Sequence, residues 1–144
     1  MTRPFTAMTF NSNGLWVRCP PRNGKPGTWR HKHLLATMSR NNCSLVGLQE
    51  HHVQAAGTAE KIQTILPSRW RNLAKPSMTE RSGVALLWRE DVWKLVEEVT
   101  GIPDERVLAA VLRDEDGRNW LMIVAHFRNA PREQRQTWAA MEAI

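Results

Sequence analysis

Apolar and polar positions alternate between two periods along the chain. Phe5 to Phe10 is a short β-prone run that breaks at Asn11-Ser12-Asn13-Gly14, a cluster of turn formers, so a strand ending in a loop is expected. Cys19 to Gly27 holds three prolines and two glycines and reads as an irregular basic connection. Thr28 then makes a helix cap, and Leu34, Leu35 and Met38 share one face of a helix over roughly 28–41. Ser44 to Gln49 is apolar at nearly every position, the pattern of a strand covered on both faces by helices. A second helix starts at Thr58, with Ile62, Ile65 and Leu66 on one face and Pro67 ending it.

From Arg69 on, the period drops to two. Trp70 to Lys75, Gly83 to Trp88 and Trp93 to Val99 read as strands, and 107–113 and 119–127 pair across Asp114-Glu115-Asp116-Gly117, whose Asp-Gly suits a tight hairpin. This second half is expected to be largely antiparallel. A last helix opens at Pro131 and carries Trp138, Met141 and Ile144 on one side, with no Gly, Asn or Pro to cap it. The pattern thus runs out inside a periodic segment, which predicts a piece of a larger domain.

Composition sharpens this picture. With 42% hydrophobic and 24% charged residues and a mean hydropathy of -0.47, the chain is neither disordered nor a membrane span. No apolar stretch of roughly 7–15 residues follows Met1-Thr2-Arg3-Pro4, so an intracellular protein is expected. Twenty Lys and Arg against fourteen Asp and Glu leave +6, and the pI near 10.1 points to a polyanionic partner. The alternative is that the excess only keeps a small protein soluble. Cys19 and Cys43 are too few for a disulfide scaffold or a four-thiolate zinc site. Seven Trp with no Tyr read as core more readily than as a base-stacking platform.

Polar groups gather at the ends of predicted strands, where open sheets bind ligands. Asn11 and Asn13 lie two apart at a strand exit, so their amides face the same way if the strand geometry persists. Glu50 ends an apolar strand, either as a solvated carboxylate or as an oxygen ligand for a hard cation. In AHFRNAPR (125–132), Asn129 suits a helix cap, and the arginines Arg128 and Arg132 beside a helix start make a phosphate site. His31 with His33, and His51 with His52, have the wrong spacing for a zinc pair.

These segments, in this order, resemble the endonuclease/exonuclease/phosphatase family, nearest to the apurinic-type endonuclease domains of LINE-type (non-LTR) retrotransposons. The likeness runs through TFNSNGL (9–15), SLVGLQEHH (44–52), RSGVALLW (81–88), DERVLAAVL (104–112) and LMIVAHFRNAPR (121–132). It implies an α+β fold, an α/β-sandwich of mixed, largely antiparallel sheets with flanking helices. It also implies that 1–144 is the N-terminal half of one domain, incomplete at the C-terminus.

The resemblance further implies that Glu50 binds catalytic Mg²⁺, with Mn²⁺ as a substitute, and that Asn11 hydrogen-bonds nearby. Asn13 lies where the repair branch has an aspartate metal ligand and retrotransposon enzymes have asparagine. Asn129 matches an asparagine at the scissile phosphate, and Arg132 matches a position that faces nucleic acid in the repair branch. His126 stands in place of a tyrosine that touches the phosphate, and Arg128 in place of a proline. The family's GDxN aspartate and its C-terminal Asp-His pair have no counterpart in the 144 residues.

The function implied is therefore a Mg²⁺-dependent DNA endonuclease in complete form, with this chain a weakly active or inactive fragment. Its partners would be DNA, the rest of its own domain or a reverse transcriptase region, with no membrane, and its site nuclear. The alternatives are a phosphatase or phospholipid phosphodiesterase of the same fold, and a non-catalytic nucleic-acid-binding remnant.

Overall fold

The computed structural model describes residues 4–54, 56–78, 82–128 and 130–144. Two sheets are stacked, with helices on the outside. The first sheet contains β1 (Ala7–Asn11), β2 (Leu45–Gln49), β3 (Trp70–Lys75) and β4 (Val84–Arg89) in the order β1-β2-β4-β3. Only β1 and β2 are parallel, because α1 (Arg30–Arg40) crosses between them. α2 (Thr58–Gln63) precedes β3, and β4 pairs antiparallel with both neighbours. The second sheet is the antiparallel meander of β5 (Lys94–Glu98), β6 (Val107–Arg113) and β7 (Asn119–Ala125), and α3 (Pro131–Glu142) follows. This is the α+β arrangement of mixed, largely antiparallel sheets with flanking helices.

The near-continuous apolar run of β2 is buried on both faces, but by different layers. Val46 and Leu48 join Leu34, Met38 and Ile62 in a core between the first sheet and its helices. Leu45 turns the other way, into a core with Leu86, Trp93, Leu108 and Leu112 between the two sheets. The expectation of helices on both sides is corrected: a strand inside a sheet-on-sheet sandwich has the same apolar pattern as one between helices.

Two helix details also differ from expectation. α1 begins at Arg30 with Trp29 as its N-cap, and no side chain caps it. Thr28 lies one residue before that cap, its carbonyl accepting the Cys19 N–H at 2.8 Å. The free N–H groups of Arg30 and His31 are instead satisfied by the carbonyls of Val17 and Leu15, at 2.9 and 3.0 Å. In α3, Pro131 opens the helix as expected, but the buried residues are Thr137 and Ala140 rather than the Trp138 side. Trp138 is 54% exposed, its ring 5.1 Å from that of Phe127.

Candidate functional site

The ends of β1, β2 and β7 meet at one edge of the sandwich. β1 runs parallel to β2 with Asn11 opposite Gln49, and β7 lies across β2 from the second sheet, so that Val124 faces Gly47. The residues that leave β2 and β7 at this edge are Glu50 and His126. Their side chains touch, His126 Nε2 lying 3.2 Å from Glu50 Oε1, each side chain 22% exposed. Residues 76 apart in sequence are thus joined by the closing of one sheet onto the other.

Glu50 is held from behind by its own main chain. It takes a left-handed backbone, φ 54, uncommon for a residue with a β-carbon. Its carbonyl accepts the Gly14 N–H at 2.7 Å, and Ser12 Oγ lies 2.8 Å from the same oxygen. Gly14 is required here, because its φ is 95 and a β-carbon would press against Val17 and the His52 ring. The backbone of His126 is fixed as well, its N–H donating to the Arg106 carbonyl at 3.0 Å.

His51 forms a buried post under this edge. Its Nδ1 accepts the Val53 N–H at 2.9 Å and its Nε2 lies 2.8 Å from the Lys75 carbonyl, so the ring is neutral with its proton on Nε2. Burial pushes its pKa down. Gly83, φ 106, lies flat against this ring, and any β-carbon there would strike it. Ser12, His51 and Gly83 were not legible as site residues. Ser12 reads as one more turn former, and His51 offers no partner at a recognisable spacing.

The remaining expected residues are distributed as follows. Asn13 has φ 45, so the strand alternation ends at Asn11 and the two amides do not project alike. Instead Asn11 Oδ1 accepts the Asn13 N–H at 3.1 Å, closing an Asx turn. Both side chains are exposed. Arg128 lies between two carboxylates, 3.1 Å from Glu133 and 3.8 Å from Glu105. Arg132 is exposed in the first turn of α3. Asn129 lies outside the described residues.

Among the described residues no group of three or more His, Cys, Asp or Glu is placed to hold a metal. A single half-buried carboxylate at a strand end nevertheless fits a hard cation that keeps most of its waters and takes the rest of its shell from substrate phosphate. Such an ion would be held by Glu50, with amide oxygen from the Asn11–Asn13 turn the other donor on this edge.

No family model and no curated protein matches the sequence. Solved structures do match the fold. A 3′-5′ exonuclease, NExo, from Neisseria meningitidis is similar over 94% of this chain and 49% of its own, at 19% identity and a TM-score of 0.62. The AP endonuclease LMAP from Leishmania major is similar over 83% of this chain and 39% of its own, at 16% identity and 0.58. ANGEL2, a 2′,3′-cyclic phosphatase, is similar over 77% and 36%, at 17% identity and 0.60. The fold is therefore that of the endonuclease/exonuclease/phosphatase proteins, and the chain spans half or less of the length of these three. No described helix is long and apolar enough to cross a membrane.

Proposed function

We propose that the chain carries the metal and phosphate half of a Mg²⁺-dependent phosphodiester hydrolase, a DNA endonuclease of the retrotransposon kind in its complete form. The observation that carries this reading is the Glu50–His126 contact at the edge where β1, β2 and β7 converge. A bound Mg²⁺ would supply charge neutralisation on the phosphate oxygens. The chain's own residues do the rest of the binding. Glu50 holds the cation; its position is set by the Ser12 and Gly14 bonds to its carbonyl.

His126 Nε2, which lies 3.2 Å from Glu50 Oε1 in the free protein, would offer a hydrogen bond to a non-bridging phosphate oxygen when substrate is present, the role the family tyrosine would take. Asn11 adds a neutral donor to the same oxygens, Arg128 and Arg132 meet the flanking backbone, and the family resemblance assigns Asn129 to the scissile phosphate. The water-activating aspartate and the Asp-His pair of the family are absent from the sequence, so the 144-residue chain alone is weakly active or inactive. The rest of the domain, or a reverse transcriptase region, completes it, in a nuclear setting.

The test is calorimetric and enzymatic together. Mg²⁺ or Mn²⁺ titrated into the chain is expected to bind weakly, in the millimolar range, and binding is expected to vanish in Glu50→Gln. Supercoiled plasmid should be nicked orders of magnitude more slowly than by an intact enzyme of this fold. Nicking at a full enzyme's rate, or cation binding indifferent to Glu50, would overturn the reading.

A phosphatase is the second reading, since one similar structure is a 2′,3′-cyclic phosphatase and NExo is also described as a 3′ phosphatase. It predicts hydrolysis of small phosphate esters and a shallow dependence of substrate binding on salt. A DNA enzyme shows a steep one.

A further inference from the structure

The chain's positive charge is concentrated in its first third. Residues 1–49 contain seven of the twenty Lys and Arg and none of the fourteen Asp and Glu. The remaining ninety-five residues are close to neutral. Three of these seven cations, Arg18, Arg22 and Lys25, lie in the segment between Val17 and α1.

That segment is an ordered finger. Residues 18 and 29 form a bridge at its base and residues 22 and 25 a second at its tip. Between the tip pair, Asn23 and Gly24 both have positive φ, 52 and 71, the geometry of a two-residue hairpin turn whose twist matches its flanking strands. The Cys19 N–H donates to the Thr28 carbonyl at 2.8 Å, and Gly27 admits the close approach, because a β-carbon there would collide with the Cys19 carbonyl. Pro20, Pro21 and Pro26 stiffen both arms.

The cations at its base are held in place. The Arg18 guanidinium lies 4.6 Å over the Trp29 ring, and the Lys61 ammonium 4.6 Å over the Trp16 ring. A cation seated on an indole keeps its outward donors while losing side-chain freedom, so less entropy is lost when it meets a phosphate. Arg22, Lys25 and Lys32 are exposed. The foot of the finger is tied to the candidate site by hydrogen bonds: Arg30, which follows it, donates its N–H to the Val17 carbonyl and its Nη1 to the Asn13 carbonyl at 2.6 Å, and the Gly14 N–H donates to the Glu50 carbonyl.

We propose that this finger, with Lys61, is a nucleic-acid-binding element that grips the phosphate backbone beside Glu50. The site reading above supplies the partner class, and the finger supplies the contact that makes the substrate a polymer rather than a small ester. A bilayer is disfavoured as the partner, because Trp16 and Trp29 are half-buried with cations on their faces and the tip bears no apolar side chain apart from proline.

The test is fluorescence anisotropy of a fluorescein-labelled DNA duplex in excess EDTA, so that neither metal nor turnover enters. Arg22→Glu/Lys25→Glu, at the exposed tip, is expected to weaken binding by about tenfold and to reduce the log–log salt slope by roughly 2. Lys94→Glu/Arg113→Glu makes the same change in net charge at the far end of the second sheet from His126, and should cost under about threefold. Circular dichroism checks that both variants fold. Equal losses in the two variants, an unaffected tip variant, or binding to phosphatidylserine vesicles without binding to the duplex would each overturn the proposal. Cation binding at Glu50 is scored separately, so failure of the hydrolase reading and failure of the finger give different results.

Discussion

His51 is the residue on which the edge beneath Glu50 rests, and Gly83 is the price of its position. The ring has both nitrogens satisfied and Gly83 pressed against it at φ 106. Gly83→Ala introduces both a strained backbone and a collision, and is expected to cost roughly 2–4 kcal/mol in urea unfolding. Burial holds the pKa of His51 below the ordinary imidazole value, and burial aided by the Lys32 charge does the same for His31. The folded protein therefore resists protonation of both rings, while the unfolded chain accepts protons near pH ~6.5. Their contribution to stability is complete above that pH and is lost as the pH falls through it. The urea midpoint should drop between about pH 7.5 and about pH 5, and drop less in His51→Gln; an unchanged slope in that variant would remove His51 from the account. None of this was readable from the sequence, where His51-His52 is a bare dipeptide at a strand end. Glu50 was readable, because a lone carboxylate ending an apolar strand stands out against its neighbours.

At the scale of elements, strands were the most legible feature, since alternation and the Asp-Gly turn act over a few residues. The β6–β7 hairpin follows its expected pairing from Arg113 opposite Asn119 to Val107 opposite Ala125. Its turn is locked by Asp114, whose carboxylate accepts the N–H groups of Asp116 and Arg118 and the Trp120 indole N–H. Those bonds, the indole's first, hold its pKa below the usual carboxylate range. What the pattern could not tell was which face of α3 is buried, because that depends on a distant partner. Thr137, fully buried, donates to Asp104 Oδ2 at 2.7 Å and so docks α3 against the loop before β6. A threonine at that position scores as polar in any periodicity, and the larger Trp138 draws the apolar face toward itself. Thr137→Val keeps the shape and leaves a buried carboxylate oxygen without its donor, at a cost of about 1–3 kcal/mol. Thr137→Ser should recover most of it. Hydrogen exchange in α3 reads the same effect locally, and equal exchange in all three proteins would show that the bond does not anchor the helix.

Across the whole molecule, the two sheets are joined at opposite ends by different chemistry. At one end Trp93, fully buried, donates its indole N–H to Ser44 Oγ at 3.1 Å and meets Phe5 and Trp120 edge-on, with ring centroids 4.9 and 6.3 Å away. That end joins the start of β2, the N-terminal segment and the β7 strand through apolar area and one satisfied hydrogen bond. At the other end the sheets meet through Glu50 and His126, polar side chains that are partly exposed. Burial of this kind contributes stability, whereas a polar contact open to solvent contributes little and is available for ligands. The two ends should therefore separate under mutation. Trp93→Phe loses volume and leaves Ser44 without its donor, and is expected to lower stability by about 1–3 kcal/mol while cation and duplex binding per folded molecule stay within about twofold. Glu50→Gln should do the reverse, abolishing cation binding with an unfolding free energy unchanged or slightly raised. Measured side by side by urea unfolding and calorimetry, a loss of stability in Glu50→Gln comparable to that in Trp93→Phe would make the Glu50–His126 contact a structural fastening, and the edge it closes no candidate for phosphodiester chemistry.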